Sequence, residues 1–275
     1  MKNYWELGAT LDLGTYPRDQ ELQFSLTDLD SEINFKNIQG TRHQGGPQWR
    51  ADSFTYKYNS HGFRSRNFDL NEMNPVILTL GCSHTVGVGV PQQDNWPEQF
   101  GRTYFSEYSV WNAGLGGAGA DTVARLAVNM IPIVKPAVVA VMWPSLFRFE
   151  TYENNPVFNG AWTMEADNLQ YEDNTAYNNQ TKNKTILHLL QEVYKFKLLS
   201  IDWDDTVSTV YNTVTWTKGR DGAHFGADWH QQMAYDFNLQ YTNPEDFVLK
   251  YTDPKEYWTK YKDKDKDKDK DKDFK

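Results

Sequence analysis

The hydrophobic positions of this chain are unevenly spread. Between residues 75 and 145 they gather into short unbroken runs, PVILTL (75–80), YSVWN (108–112) and AVVAVMW (137–143), each bounded by turn residues. A run of that length between turn signals suits a strand buried on both faces, as in the middle of a parallel sheet. Between the runs the period changes. DTVARLAVNMIPIV (121–134) places apolar residues at helical spacing, with Asp121 as its expected cap, and QQDNWPEQFGRTY (92–104) has room for a short helix. Strand, helix, strand, helix, strand at this spacing predicts βαβ units, and so an α/β fold around a parallel sheet.

The rest of the chain divides around that block. Residues 1–70 are polar and rich in Gly and Asn, with scattered aromatics. They read as an accessory segment with irregular structure and short strands such as SFTYKYN (53–59). The α/β domain is expected over 71–250. Within it, the Asn-rich stretch 150–184 reads as an excursion or lid. KTILHLLQEVYKFKLL (184–199) reads as an amphipathic helix, 200–218 stays ambiguous, and Ala227–Leu239 is a candidate final helix. The end, 253–275, runs into alternating Lys and Asp from 262. Residues four apart there carry the same sign, which opposes a helix, and nothing in the run can be buried. A disordered, solvated tail is expected.

Composition narrows the function. The chain has 275 residues, a net charge of -9 and 15% aromatics. The aromatic content argues for a folded protein, and the negative charge argues against a nucleic-acid binder. A single cysteine, Cys82, excludes an internal disulfide. No apolar run approaches the roughly 20 residues of a membrane span, and the start lacks a signal-peptide core. No membrane association and a cytoplasmic location are expected. The Asn-x-Thr triplets at Asn179 and Asn183 then carry no glycosylation argument.

Two short segments bear chemistry. The strand 75–80 runs into Gly81-Cys82-Ser83, which places a hydroxyl on a tight turn at the carboxyl edge of the sheet, where ligands bind in open α/β folds. Asp221-Gly222-Ala223-His224 sets a carboxylate three residues before an imidazole. A serine hydroxyl is a weak nucleophile; it needs a base within hydrogen-bond reach and a carboxylate to orient that base. Asp221 can turn back to Nδ1 of His224 and leave Nε2 for Ser83. The plainer alternative is a serine that caps a turn and two ordinary polar loop residues.

Two other readings compete. Asp221, His224, Asp228 and His230, with His84 beside the serine, are possible metal ligands. The two downstream histidines are six apart and would not share a helix face. Gly114–Gly119, GLGGAG, matches a dinucleotide fingerprint between a strand and a helix, yet lacks the acidic residue about 20 positions on.

Together these blocks resemble the SGNH, or GDSL-type, hydrolases over roughly residues 75–240. Gly81-Cys82-Ser83-His84-Thr85 matches the nucleophile block, Asn112-Ala113-Gly114 the second block, and Asp221-Gly222-Ala223-His224 the last. Asn-Ser-His-Gly-Phe-Arg (59–64) is more loosely similar to SGNH-like proteins of tailed bacteriophages, for which a host cytoplasm or virion would be the setting. The resemblance implies a three-layer α/β/α sandwich with a central parallel sheet. It implies ester hydrolysis without a cofactor, with Ser83, His224 and Asp221 as a triad. The N–H groups of Ser83 and Gly114 would hold the oxyanion. One block departs from the pattern. The third strand ends Trp143-Pro144-Ser145-Leu146, with no asparagine at the family's donor position. Either Ser145 substitutes as the donor or the hole has two donors; loss of one donor costs about 10²–10³ in turnover. The expected substrate is a small-molecule or carbohydrate ester. Trp143, Trp162, Trp203, Trp216 and Trp229 are candidate sugar platforms, though most of them suit a core equally well. Arg148 could orient an anionic substrate or pair with Glu150. The runner-up function is a binding or structural module that keeps the fold without cleaving.

Overall fold

A computed structural model describes residues 10–26, 29–38, 54–152, 156–160, 173–205, 216–253, 256, 257 and 260. Trp162 and the Lys/Asp run lie outside these residues. The elements, in chain order, are β1 (Glu21–Leu22), α1 (Glu32–Ile38), β2 (Tyr56–Lys57), β3 (Val76–Leu80), α2 (Ser83–Val86), α3 (Trp96–Tyr104), β4 (Ser109–Asn112), α4 (Ala120–Val134), β5 (Val138–Trp143), β6 (Phe149–Tyr152), β7 (Pro156–Asn159), α5 (Asp173–Tyr194), β8 (Lys197–Asp202), α6 (Trp203–Asp205), α7 (Ala227–Thr242) and α8 (Pro244–Thr252).

The central sheet is parallel, in the order β4-β3-β5-β8. Its strands alternate between two cores. Leu78, Leu80, Val139 and Val141 face one, with Val123, Leu126 and Met130 of α4 and Leu187 of α5. Ile77, Ala140, Met142 and Leu199 face the other, with Trp96 and Phe100 of α3 and Trp229, Met233 and Phe237 of α7. Helices therefore cover both faces, giving a three-layer α/β/α sandwich. Strands buried on both sides need no polar face, which is why VILTL and VVAVMW are unbroken apolar runs. After β3 the chain adds β4 on one side and then crosses to β5 on the other. That reversal opens a crevice beyond the carboxyl end of β3, and Ser83 stands there.

Local chemistry explains the boundaries. Asn95 accepts the Glu98 N–H at 2.9 Å and so caps α3, with Pro97 in its first turn. Helix α4 begins after Gly119, not at a cap made by Asp121. Asp121 sits inside the first turn and faces sideways. Its carboxylate accepts from Glu150 N at 3.1 Å and from the amides of Asn179 and Asn183, both at 3.0 Å. Those two asparagines, one turn apart on α5, fasten that helix to α4. The helix expected over 184–199 is thus displaced: α5 spans 173–194, and the chain then turns at Lys195 (φ 59°) into the fourth strand, β8.

The chain ahead of β3 packs on the same core. Tyr56, Tyr58, Phe63 and Phe68 are buried with β3 and α4, and β2 pairs antiparallel with β1. Among the described residues, no helix is long and apolar enough to cross a membrane.

Candidate active site

The turn after β3 is built for close contact. Gly81 has φ +155°, and a Cβ on it would lie 2.2 Å from Thr85 Oγ1 and 2.7 Å from the Met142 carbonyl. Only glycine lets the chain bend there from strand into α2, whose first residue is Ser83. The single helical turn closes at Gly87, in the left-handed region at φ 78°.

Arg64 secures the loop after α2. Its guanidinium is fully buried, donates to the carbonyls of Val86, Gly87 and Val90, and lies 4.0 Å over the Tyr56 ring. Carbonyl dipoles and a π face replace the water lost by that charge.

His224 and Asp221 arrive on the loop before α7. Nε2 of His224 lies 2.8 Å from Ser83 Oγ, across 141 residues of sequence. Nδ1 of His224 meets Asp221 Oδ2, and the Asp221 side chain is fully buried. A carboxylate can only accept, so Nδ1 carries the ring proton. Nε2 is left to accept the Ser83 hydroxyl. The other carboxylate oxygen of Asp221 accepts from the backbone of Ala223 at 3.2 Å and His224 at 3.1 Å. Such a line can withdraw a proton from the serine and stabilise the imidazolium that results.

The expected oxyanion donors fare differently. The Ser83 N–H, at the start of α2, has no hydrogen-bond partner among the described residues. Gly114 does not match its expected role, because its N–H already donates to Asn112 Oδ1 at 2.9 Å. Its need for glycine is steric: a Cβ would lie 2.7 Å from Val86 N and 2.9 Å from Thr85 Cβ. Ser145 sits in the turn after β5, where its carbonyl accepts from Arg148 N at 3.1 Å. Among the described residues, its hydroxyl makes no hydrogen bond to Ser83 or His224.

Aromatic rings frame the other side of the serine. His84 stacks on Trp203 at 4.0 Å, meets His224 edge-on at 4.9 Å, and has Trp229 at 5.3 Å and Phe225 at 5.7 Å. Burial pushes His84 well below the usual histidine range, and the positive charges of Arg148 and Lys218 add to this. It is therefore a neutral neighbour. Of the candidate sugar platforms, Trp143 and Trp229 are core residues, while Trp203 and Trp216 are half-buried.

The competing readings find their residues otherwise engaged. Asp228 accepts from Thr217 N at 3.0 Å and Thr217 Oγ1 at 2.6 Å, and His230 Nδ1 accepts from Trp96 N at 3.2 Å. In the glycine turn, Leu115 N donates to the Gly81 carbonyl at 3.0 Å and Gly116 N to Tyr16 Oη at 2.9 Å. These amides tie the turn to the protein rather than facing an open phosphate cradle. Glu150 accepts from Arg125 at 2.8 and 2.9 Å and from Thr122 Oγ1 at 2.9 Å.

No protein-family model matches this sequence, and no curated protein matches it. Among the solved structures similar to this chain are esterases and lipases. One is the acetyl xylan esterase AlAXEase, at 12% identity and a TM-score of 0.36, covering 61% of this chain and 99% of its own. Another is a lipase/acylhydrolase from Enterococcus faecalis, at 13% identity and a TM-score of 0.36, covering 61% and 94%. A third is a carbohydrate acetylesterase family member from Sinorhizobium meliloti, at 12% identity and a TM-score of 0.30, covering 58% and 94%.

Sequence reasoning missed three residues that shape the site. Arg64 lay inside the Asn-Ser-His-Gly-Phe-Arg segment, but a lone arginine gave no sign that it would grip the serine loop. Asp30 and Arg220, 190 residues apart and paired at 2.7 Å, left no local signal at all.

Proposed function

We propose that this chain is a serine ester hydrolase. The observation that carries the reading is the 2.8 Å approach of His224 Nε2 to Ser83 Oγ, with Asp221 on the opposite ring nitrogen. In the reaction, His224 takes the hydroxyl proton as Ser83 Oγ attacks the ester carbonyl carbon. The tetrahedral oxyanion is held by the Ser83 N–H, and Asp221 stabilises the imidazolium. His224 then passes its proton to the departing alkoxide, leaving an acyl-serine. Water, deprotonated by His224, releases the carboxylic acid and restores the serine.

The rim supports a carbohydrate ester as the substrate class. Half-buried Trp203 and half-buried Phe225 lie on the His84 side of the serine. Aromatic faces of this kind stack on sugar rings, which favours an O-acylated carbohydrate over a long-chain lipid. The occupied Gly114 N–H leaves one free backbone donor among those expected, which favours modest turnover.

A panel of p-nitrophenyl acyl esters and acetylated oligosaccharides tests the reading. Ser83→Ala is expected to lower kcat/KM by about 10⁴-fold or more. Equal rates in both proteins would remove Ser83 from the chemistry. The same occupied Gly114 N–H supports a second reading, a carbohydrate-binding module. Glycan binding untouched by Ser83→Ala, with no turnover of any ester, would favour it.

A further inference from the structure

Asp221 orients His224 through its own short turn. That turn is placed against Ser83 by the first part of the chain. A closed ring of hydrogen bonds starts and ends at Gly89, on the loop that Arg64 grips. The Gly89 carbonyl accepts from Arg220 N at 2.7 Å. The Arg220 guanidinium donates to Asp30, through Nε to Oδ1 at 3.0 Å and through Nη2 to Oδ2 at 2.7 Å. Asp30 Oδ2 also accepts the Tyr56 hydroxyl. The Tyr56 oxygen in turn accepts the Gly89 N–H at 2.9 Å.

Both charged members are removed from water. The Asp30 and Arg220 side chains are 0% and 2% exposed. The remaining donors of Arg220 go to the carbonyls of Phe54 at 3.0 Å and Gln23 at 2.7 Å, and its plane lies 3.7 Å over the Phe54 ring. A second contact from the same part of the chain reaches the acid loop directly: Asn34 Nδ2 donates to the Asp221 carbonyl at 3.2 Å. A buried pair of this kind is a weak source of net stability but a rigid geometric constraint. Here the constraint meets Gly89, on the loop beyond Ser83, where that loop touches the backbone of the turn that carries Asp221.

We propose that Asp30 is a positioning residue for the hydrolytic site: it fixes Arg220, and through Arg220 the Asp221 turn, against the loop beyond Ser83. This rests on the hydrolase reading. Without Asp30, Arg220 would keep only backbone partners for its buried charge and would relax away from Gly89. The His224 imidazole would then lose its alignment on the serine. Displacements near 1 Å at such a site cost about 10²-fold in rate.

The test is a double-mutant cycle on the full-length protein, with p-nitrophenyl acetate as probe. Kinetics are measured for wild type, Asp30→Asn, Asp221→Asn and the double variant. The His224 Nδ1 proton is followed separately by its downfield ¹H NMR resonance. Asp30→Asn is expected to lower kcat by about 10- to 100-fold with little change in KM. On the Asp221→Asn background the same change is expected to alter kcat by less than about twofold, since the two act through one turn. The downfield resonance is expected to be lost. A folded Asp30→Asn protein with wild-type kcat, or the same loss on both backgrounds, overturns the proposal. If Asp30→Asn does not fold, Tyr56→Phe removes one hydroxyl from the ring and is judged by the same outcomes. If the wild type cleaves no ester, the hydrolase reading has failed. The resonance still decides the role of Asp30, because its persistence in the folded variant shows that Asp30 does not hold the Asp221–His224 pair.

Discussion

The side-chain amide of Asn112 donates to the carbonyl of Thr85 at 2.7 Å, joining the end of β4 to the turn that carries Ser83. Its oxygen accepts the Gly114 N–H at 2.9 Å. One side chain therefore satisfies two buried backbone groups on neighbouring loops. Asn112→Leu keeps the approximate volume and leaves both groups unpaired. Each is expected to cost about 1–3 kcal/mol. Urea unfolding checks this, and an unchanged midpoint would mean that the loops find other partners.

Gly89 offers a sharper perturbation. It has φ +84°, and a Cβ there would stand 2.9 Å from Asp221 Oδ1 and 3.1 Å from Gly219 Cα. Gly89→Ala adds about 1–2 kcal/mol of left-handed strain and pushes on the carboxylate that orients His224. The protein is expected to fold with a lower melting temperature, and kcat is expected to fall by about tenfold or more. Stability reduced with kcat intact would show that the acid loop yields without moving the imidazole.

Much of this arrangement was readable from residues 75–145, because strands buried on both faces must be apolar throughout. The helices between them announce themselves by their period. The serine and Asp-x-x-His blocks were legible for a related reason: each carries its chemistry within five residues. Other features depend on partners far away in sequence. β8 followed a helical pattern without a Gly or Pro, and only Lys195 in the left-handed region marks the break. The start of α5 lies in an Asn-rich run of low helix propensity, held by Asp121 from another helix. Gly114 kept its expected place but not its expected donor role, since whether Asn112 would capture its N–H depends on a side-chain orientation that spacing does not specify.

Arg64 grips the carbonyls of Val86, Gly87 and Val90 with a planar fork. Lysine carries the same charge but cannot span three carbonyls in that plane, and it loses the stacking on Tyr56. Arg64→Lys is expected to lose about 1.5–3 kcal/mol of stability for each charged hydrogen bond it cannot remake. It is also expected to lower kcat, because the loop it releases carries Gly89. Chemical unfolding and then steady-state kinetics check both, and wild-type values in the variant would rule out this role for Arg64.

His230 makes the fold sensitive to acid. It is fully buried, and its Nδ1 accepts the Trp96 N–H, so the proton of the neutral ring sits on Nε2. Burial, helped by the Arg64 charge, pushes its pKa down from 6.5 to about 3. In the unfolded chain the ring would titrate near 6.5. Between these values the unfolded state binds a proton that the native state refuses. Stability therefore falls as pH drops from about 6.5 toward 3, by up to about 1.4 kcal/mol per pH unit for this group. His84, lowered in the same direction, adds to the slope. Urea midpoints measured at about pH 7, 6, 5 and 4 should decline steadily in the wild type. His230→Gln retains an acceptor for Trp96 and has nothing to titrate, so its decline is expected to be shallower by nearly one proton. Parallel declines in the two proteins would mean that His230 is already protonated in the native fold.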